Sequence, residues 1–343
     1  MRTLRRFPCQ KYGCIDAIKP CQKKGCIDAI IPAYNEGPCL AQSLDNLLRN
    51  PYFCRVICVN DGSTDNTEAV MAEVKRKWGD RFVAVTQKNT GKGGALMHGL
   101  KYATCDQVFL SDADTFVPPD NDGMGYMLAE IERGADAVGG IPSTALKGAG
   151  LLPHIRATVK LPMIVMKRTL QQFLGGAPFI ISGACGMFRT GIISGACGMF
   201  RTDVLRKFGF SDRTKVEDLD LTWTLVANGY RIRQANRCIV YPQECNSPRE
   251  EWRRWRRWIV GYAVCMRLHK RLLFSRFGIF SIFPMLLVVY FLCCWLCFMA
   301  LVFISLPGLM NSSPPGHMVW ATWCGVGNVP AYLGRRSLCY WCI

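Results

Sequence analysis

The chain has 343 residues, half of them hydrophobic, enough for one sizeable α/β core with attached segments and too few for several large domains. Lysine and arginine total 42 against 25 acidic residues, a formal charge of +17, which suits anionic partners such as nucleotide phosphates or acidic lipid headgroups. Nineteen cysteines would mark a disulfide scaffold in a short secreted chain, but here they sit in apolar runs, as Cys293, Cys294 and Cys297 do, the pattern of small buried hydrophobes.

The opening MRTLRRFPCQKYG has a basic flank without an apolar run, so no secretory signal peptide is expected and the catalytic part should stay in the cytosol. Cys9, Cys14, Cys21 and Cys26 are spaced as two CxxxxC pairs, without the CxxC knuckle of common zinc sites. Two tandem duplications of twelve-residue period interrupt the chain, CQKYGCIDAIKP followed by CQKKGCIDAIIP, and IISGACGMFRT at Ile180 repeated at Ile192. Solenoid repeats are longer and more numerous, so these are local insertions, and the second copy of each carries the functional register.

From Cys26 onward CIDAIIPAYN, CRVICVN, FVAVTQ and QVFLS predict short strands, each bounded by Gly, Asn or Asp. After VNDGST, Asp65 and Glu68 form a capping pair for a helix whose Val70, Val74 and Trp78 share one face. A second helix follows Gly93, with Ala95, Leu96, Leu100 and Ala103 on its buried side. Strand, helix, strand in this rhythm predicts an α/β domain with a mainly parallel sheet and a ligand crevice beyond the carboxyl ends of the strands.

Beyond Ser247 the composition shifts. Ser247, Pro248 and Glu250 fit a capping box, and Trp252, Trp255, Ile259, Tyr262 and Met266 then recur at steps of three and four among arginines, as in a helix lying in a membrane interface. Ile279 to Leu306 carries no charged side chain and predicts a transmembrane helix, with a kink at Pro284. Arg267, Lys270, Arg271 and Arg276 place its leading flank in the cytosol. The expected organisation is a tail over 1–24, a catalytic domain over 25–246, an interfacial helix over 247–277, a membrane span over 278–306 and an unassigned tail over 307–343.

Several carboxylates fall where chemistry is expected. Asp112 and Asp114 end the strand QVFLS, and two carboxylates facing one site need a cation or donor to offset their repulsion; a divalent ion holding a diphosphate does so, while a polar loop is the plain alternative. Asp61 ends another strand, placed to accept hydrogen bonds from a base or ribose or to open a turn before Gly62. Gly91, Lys92, Gly93 and Gly94 open a helix with bare amides and a lysine that suit a diphosphate. Glu217 and Asp218 stand at a helix start, either as dipole-favoured acids or as a general base for an attacking hydroxyl.

Taken in order, IIPAYNE, VNDGSTDNT, NTGKGGAL, SDAD, SGACGMFR and VEDLDLTW resemble the family 2 glycosyltransferases of GT-A fold, especially the membrane synthases of poly-N-acetylglucosamine, hyaluronan, chitin and cellulose, over about Cys26 to Gly261. The resemblance implies transfer from a UDP-sugar to a saccharide or lipid-linked acceptor at the cytoplasmic membrane face, with Ala33, Tyr34, Glu36 and Asp61 holding uridine. It further implies that Asp112 and Asp114 serve the donor and its Mg²⁺ or Mn²⁺, that Ser194, Gly195 and Cys197 border the acceptor, and that Asp218 is the base. The processive synthases carry QxxRW on an interfacial helix, and here EWRRWRRW offers Arg257 and Trp258 at the RW positions with Arg254 in place of glutamine, which puts processivity in question. A polyprenyl-phosphate sugar transferase of the dolichyl-phosphate mannose synthase type and a non-catalytic nucleotide-binding membrane protein are the rival readings. Nucleic-acid binding rests on charge alone and is not expected, since anionic lipid explains the basic flank.

Overall fold

The computed structural model describes residues 25–119, 122–143, 151–181, 198–211, 213–214, 216–242 and 247–284, with scattered positions between 286 and 301. The elements are β1 (Ile27–Ala33), α1 (Gly37–Arg49), β2 (Phe53–Asp61), α2 (Thr67–Trp78), β3 (Phe82–Gln87), α3 (Gly91–Leu100), β4 (Gln107–Leu110) and β5 (Thr115–Phe116). They continue with α4 (Gly123–Glu132), β6 (Ala137–Pro142), α5 (Leu151–Gly175), β7 (Gly198–Arg201), α6 (Thr202–Phe208), α7 (Glu217–Ala227), β8 (Ile232–Pro242) and α8 (Pro248–Leu268).

The strands form one sheet in the order β3-β2-β1-β4-β7-β6-β8-β5. The half containing β3, β2, β1 and β4 is parallel, as the strand-helix alternation predicts. The other half is not. β7 runs antiparallel to both β4 and β6, β6 and β8 are parallel, and β5 is antiparallel to β8. The expected mainly parallel sheet is therefore a mixed one; the two-residue period that marks a strand carries no information about its direction.

β1 is central and buried on both faces, so it reads as a continuous apolar run. Ile27, Ala29 and Ile31 join the core under α1, α2 and α4, whereas Ile30 joins the core on the opposite face with Ala95, Leu96 and Leu100 of α3 and Trp223 of α7. Asp28 interrupts that run and is wholly buried, but its Oδ2 accepts from Cys105 N at 2.9 Å and lies 3.0 Å from Arg55 Nη2. Both β1 and β7 are built from the second copies of the two duplications.

Two expectations about cysteine change. Cys26, just before β1, and Cys54 of β2, with Cα atoms 5.7 Å apart, are paired as a disulfide, and Cys294 and Cys297 are exposed rather than buried. Cys58, Cys105, Cys238 and Cys265 are buried, as small apolar residues are.

The helix α8 forms where Ser247 and Pro248 predict it, although Ser247 makes no side-chain cap. Its aromatic stripe divides: Trp252, Trp255 and Ile259 are exposed, while Tyr262 and Met266 turn inward onto the core. Two compact units divide the chain, Met1–Met285 and Leu286–Ile343. In the second, the described positions are helical, and Leu286, Leu287, Tyr290, Phe291, Trp295, Phe298 and Leu301 are exposed. Among the described residues no helix is long and apolar enough to cross a membrane, and much of the expected span from Ile279 to Leu306 lies outside them.

Candidate active site

Because β1 lies between β2 and β4, its register brings three strand ends together: Ala33 stands opposite Asn60, and Ile30 opposite Leu110. Asp61, the end of β1 and the segment Asp112 to Asp114 therefore leave the sheet along one edge. The turns here are tight. Asn35 takes a left-handed φ of 56°, and its side-chain oxygen accepts from Thr64 N at 2.8 Å, which ties the segment after β1 to that after β2. Gly62 has φ +74°, and a Cβ there would meet Asn89 N at 2.9 Å, so the close approach needs glycine.

Asp61 is buried, and its Oδ1 accepts from Gln87 Nε2 at 2.7 Å and from Thr90 N at 2.8 Å. Thr90 precedes α3, so this carboxylate anchors the helix that opens on Gly91 and Lys92. Lys92 Nζ lies 2.6 Å from Asp112 Oδ1, and both side chains are buried. Asp114 Oδ2 is buried with no hydrogen bond. Burial, and then the charge of Asp112, push the Asp114 carboxyl up to about 7 against the pull of Lys92. Glu36 is pushed up to about 8, chiefly by burial, with Asp114 and Asp112 adding to it while a hydrogen bond from the Cys39 thiol at 3.1 Å opposes it. Glu36, Asp112 and Asp114 thus share one electrostatic environment.

A second pair reaches the same lysine. Glu217 and Asp218 open α7, and Glu217 Oε1 is buried without a hydrogen bond. Burial first, and Asp218 next to it, push Glu217 up to about 7, whereas Lys92 and Arg257 draw it down. Lys92 therefore sits between the two acidic groups, and Arg257 of α8 faces the second. Arg257 Nε is buried and makes no hydrogen bond, while Arg254 is buried with its guanidinium 5.9 Å from the Trp258 ring. Trp258 is half-buried against the core and 5.7 Å from Trp255. Arg257, which the sequence aligns with the RW motif, is thus the arginine of α8 that acts on Glu217.

Asp112 and Asp114 offer hard oxygen ligands, one of them an orphaned buried oxygen, so the pair fits a divalent cation that takes its remaining ligands from phosphate and water. Ala33 is buried and Tyr34 half-buried at the end of β1, beside this edge. Ser194, Gly195 and Cys197 lie outside the described residues. Sequence reasoning missed Gln87 and Thr90 as supports of Asp61; Gln87 is the last residue of β3, a position that could have signalled it.

Lys92 thus pairs with Asp112 and lies within electrostatic reach of Glu217, in an α/β domain of the kind whose strand ends border a ligand crevice. The model of the family described as Glycosyl transferase family 2 matches residues 28–207, and the chain belongs to that family. The chain is a glycosyltransferase. It is 93% identical over 289 residues to "Uncharacterized glycosyltransferase YaiP" of Escherichia coli (strain K12), covering 84% of this chain and 67% of that protein. It is 29% identical over 239 residues to poly-beta-1,6-N-acetyl-D-glucosamine synthase of Staphylococcus aureus (strain COL), covering 68% of this chain and 54%, about half, of that relative. The fold is similar to that of a mannosyltransferase from Pyrobaculum calidifontis solved with GDP-Man and Mn²⁺, at a TM-score of 0.55 and 20% identity, over 74% of this chain and 67% of that one.

Proposed function

We propose that the chain transfers a hexose, GlcNAc or a close relative, from a UDP-sugar to a saccharide hydroxyl at the cytoplasmic face of a membrane, with inversion. The observation that supports this is Lys92, paired with Asp112 and acting on Glu217, which puts both carboxylates within the influence of one cation. The name of the staphylococcal relative, a synthase of an N-acetylglucosamine polymer, supports the choice of sugar.

Asp112 and Asp114 would hold Mg²⁺ or Mn²⁺, which supplies positive charge against the diphosphate. Asp218 takes the proton of the acceptor hydroxyl as its oxygen bonds to the anomeric carbon and the bond from that carbon to the UDP oxygen breaks. Lys92 and Arg257 offset the charge gathering on the departing diphosphate, Arg254 and Asp61 support the donor, and Trp258 stands on the acceptor side. Asp218→Asn keeps the shape and removes the base, so in membranes supplied with UDP-GlcNAc and Mn²⁺ it is expected to lower kcat by about 100- to 10,000-fold with UDP still bound. Unchanged turnover would take Asp218 out of this role.

A further inference from the structure

Away from the strand ends, a second polar cluster joins the two helices that bring Asp218 and Arg257 to the cleft. Asp220, two residues after Asp218, is 2% exposed. Its Oδ2 accepts from Ser211 Oγ at 2.9 Å and from Arg213 Nη2 at 2.7 Å, and its Oδ1 meets His269 Nε2 at 2.7 Å. Burial works to raise the Asp220 carboxyl, but the hydrogen bonds from His269, Arg213 and Ser211 outweigh it and hold the group below the usual carboxylate range. His269 terminates α8, where its backbone N–H donates to Cys265 O at 2.9 Å. Its ring meets Trp223 of α7 edge-on at 5.9 Å, and Trp223 Nε1 donates to Phe179 O at 3.0 Å.

About two turns before His269, Gly261 packs against Val216, the residue that precedes Glu217, and a Cβ at 261 would overlap the valine side chain. Arg257 lies about one turn further on. The helix α8 is thus fastened to α7 at two places, Val216 with Gly261 and Asp220 with His269, and two fixed points determine its tilt and rotation.

We propose that Asp220, acting through His269, is a positioning residue for sugar transfer: it clamps the end of α8 to α7 so that Arg257 faces Glu217 and Asp218. The proposal rests on the reading of Asp218 and Arg257 given above. The contact matters because a misplacement of about 1 Å at a reacting centre can lower a rate by about 100-fold.

The test compares Asp220→Asn, His269→Gln and the double variant by kcat per UDP-binding site, donor KM and melting temperature. The expected result is a kcat lower by about 10- to 100-fold in each single variant, with donor KM little changed and the double variant no worse than either, because both act through one contact. The clamp is overturned by wild-type kcat in both single variants, by losses that multiply in the double variant, or by losses matched by fewer UDP-binding sites. A wild-type chain that binds UDP and transfers no sugar overturns instead the functional reading beneath it, and the clamp with it.

Discussion

Glu36 is buried and Asp114 and Glu217 are half-buried, and their folded values, about 8, about 7 and about 7, stand above the ordinary carboxylate range. For each, the folded chain holds a proton that the unfolded chain has already released, so stability falls as pH climbs from that range towards 8. A divalent cation competes with those protons, and its affinity rises over the same interval. In chelator, the melting temperature is expected to drop between pH 5.5 and 8, and Mn²⁺ is expected to restore more of it at pH 8; Asp114→Asn should flatten both responses. Equal Mn²⁺ stabilisation at the two pH values would sink this account. Asp28 behaves differently. It is wholly buried at the start of β1, and Arg55 balances it, so Arg55→Met leaves a buried charge and is expected to lower unfolding free energy by about 3–5 kcal/mol in urea titrations, with donor KM unchanged. Asp112, at the end of an apolar strand, and Lys92, in a glycine-rich helix start, were each legible in the sequence, but their pairing was not, because they lie twenty residues apart on different elements.

Among the elements, β1 to β4 were legible because β-branched runs ended by Asn, Asp or Gly leave little else for the chain to do. β5 has two residues and β7 four, too short for an alternating pattern to declare itself, and the antiparallel course of β7 is a tertiary choice. The helix α8 was foreseen, but the division of its stripe was not: seen alone, Trp252 and Tyr262 look alike, and only tertiary placement, which sets Tyr262 edge-on to Phe179 at 5.7 Å, turns it inward. That placement predicts the cost of crowding. Gly261→Ala presses a methyl group into Val216 and is expected to cost about 1–3 kcal/mol and to depress kcat, while Val216→Ala in the same chain restores room and part of the rate. Thermal melts and transfer assays on the single and double variants check this, and a harmless Gly261→Ala would show that the contact yields.

For the whole molecule, the question is where the exposed apolar surface goes. Trp252, Trp255, Ile259 and Val260 are exposed on a helix that also bears exposed Arg253 and Arg256, a composition suited to an anionic lipid interface. Trp252→Ser with Trp255→Ser is expected to weaken co-sedimentation with phosphatidylglycerol vesicles by about 100-fold or more, since each fully inserted ring contributes about 1.5–3 kcal/mol and each 1.4 kcal/mol is about tenfold. Undiminished vesicle binding, or none in the wild-type chain, would rule this face out as a lipid contact.

The ion pair between Lys92 and Asp112 also bears on how a donor would be recognised. A resting enzyme whose lysine is already satisfied presents little bare positive charge to stray inorganic phosphate, and an incoming donor must displace an internal partner before it is gripped. Recognition then becomes an exchange of counterions, and ligands that bring their own metal hold an advantage over free anions of the same charge.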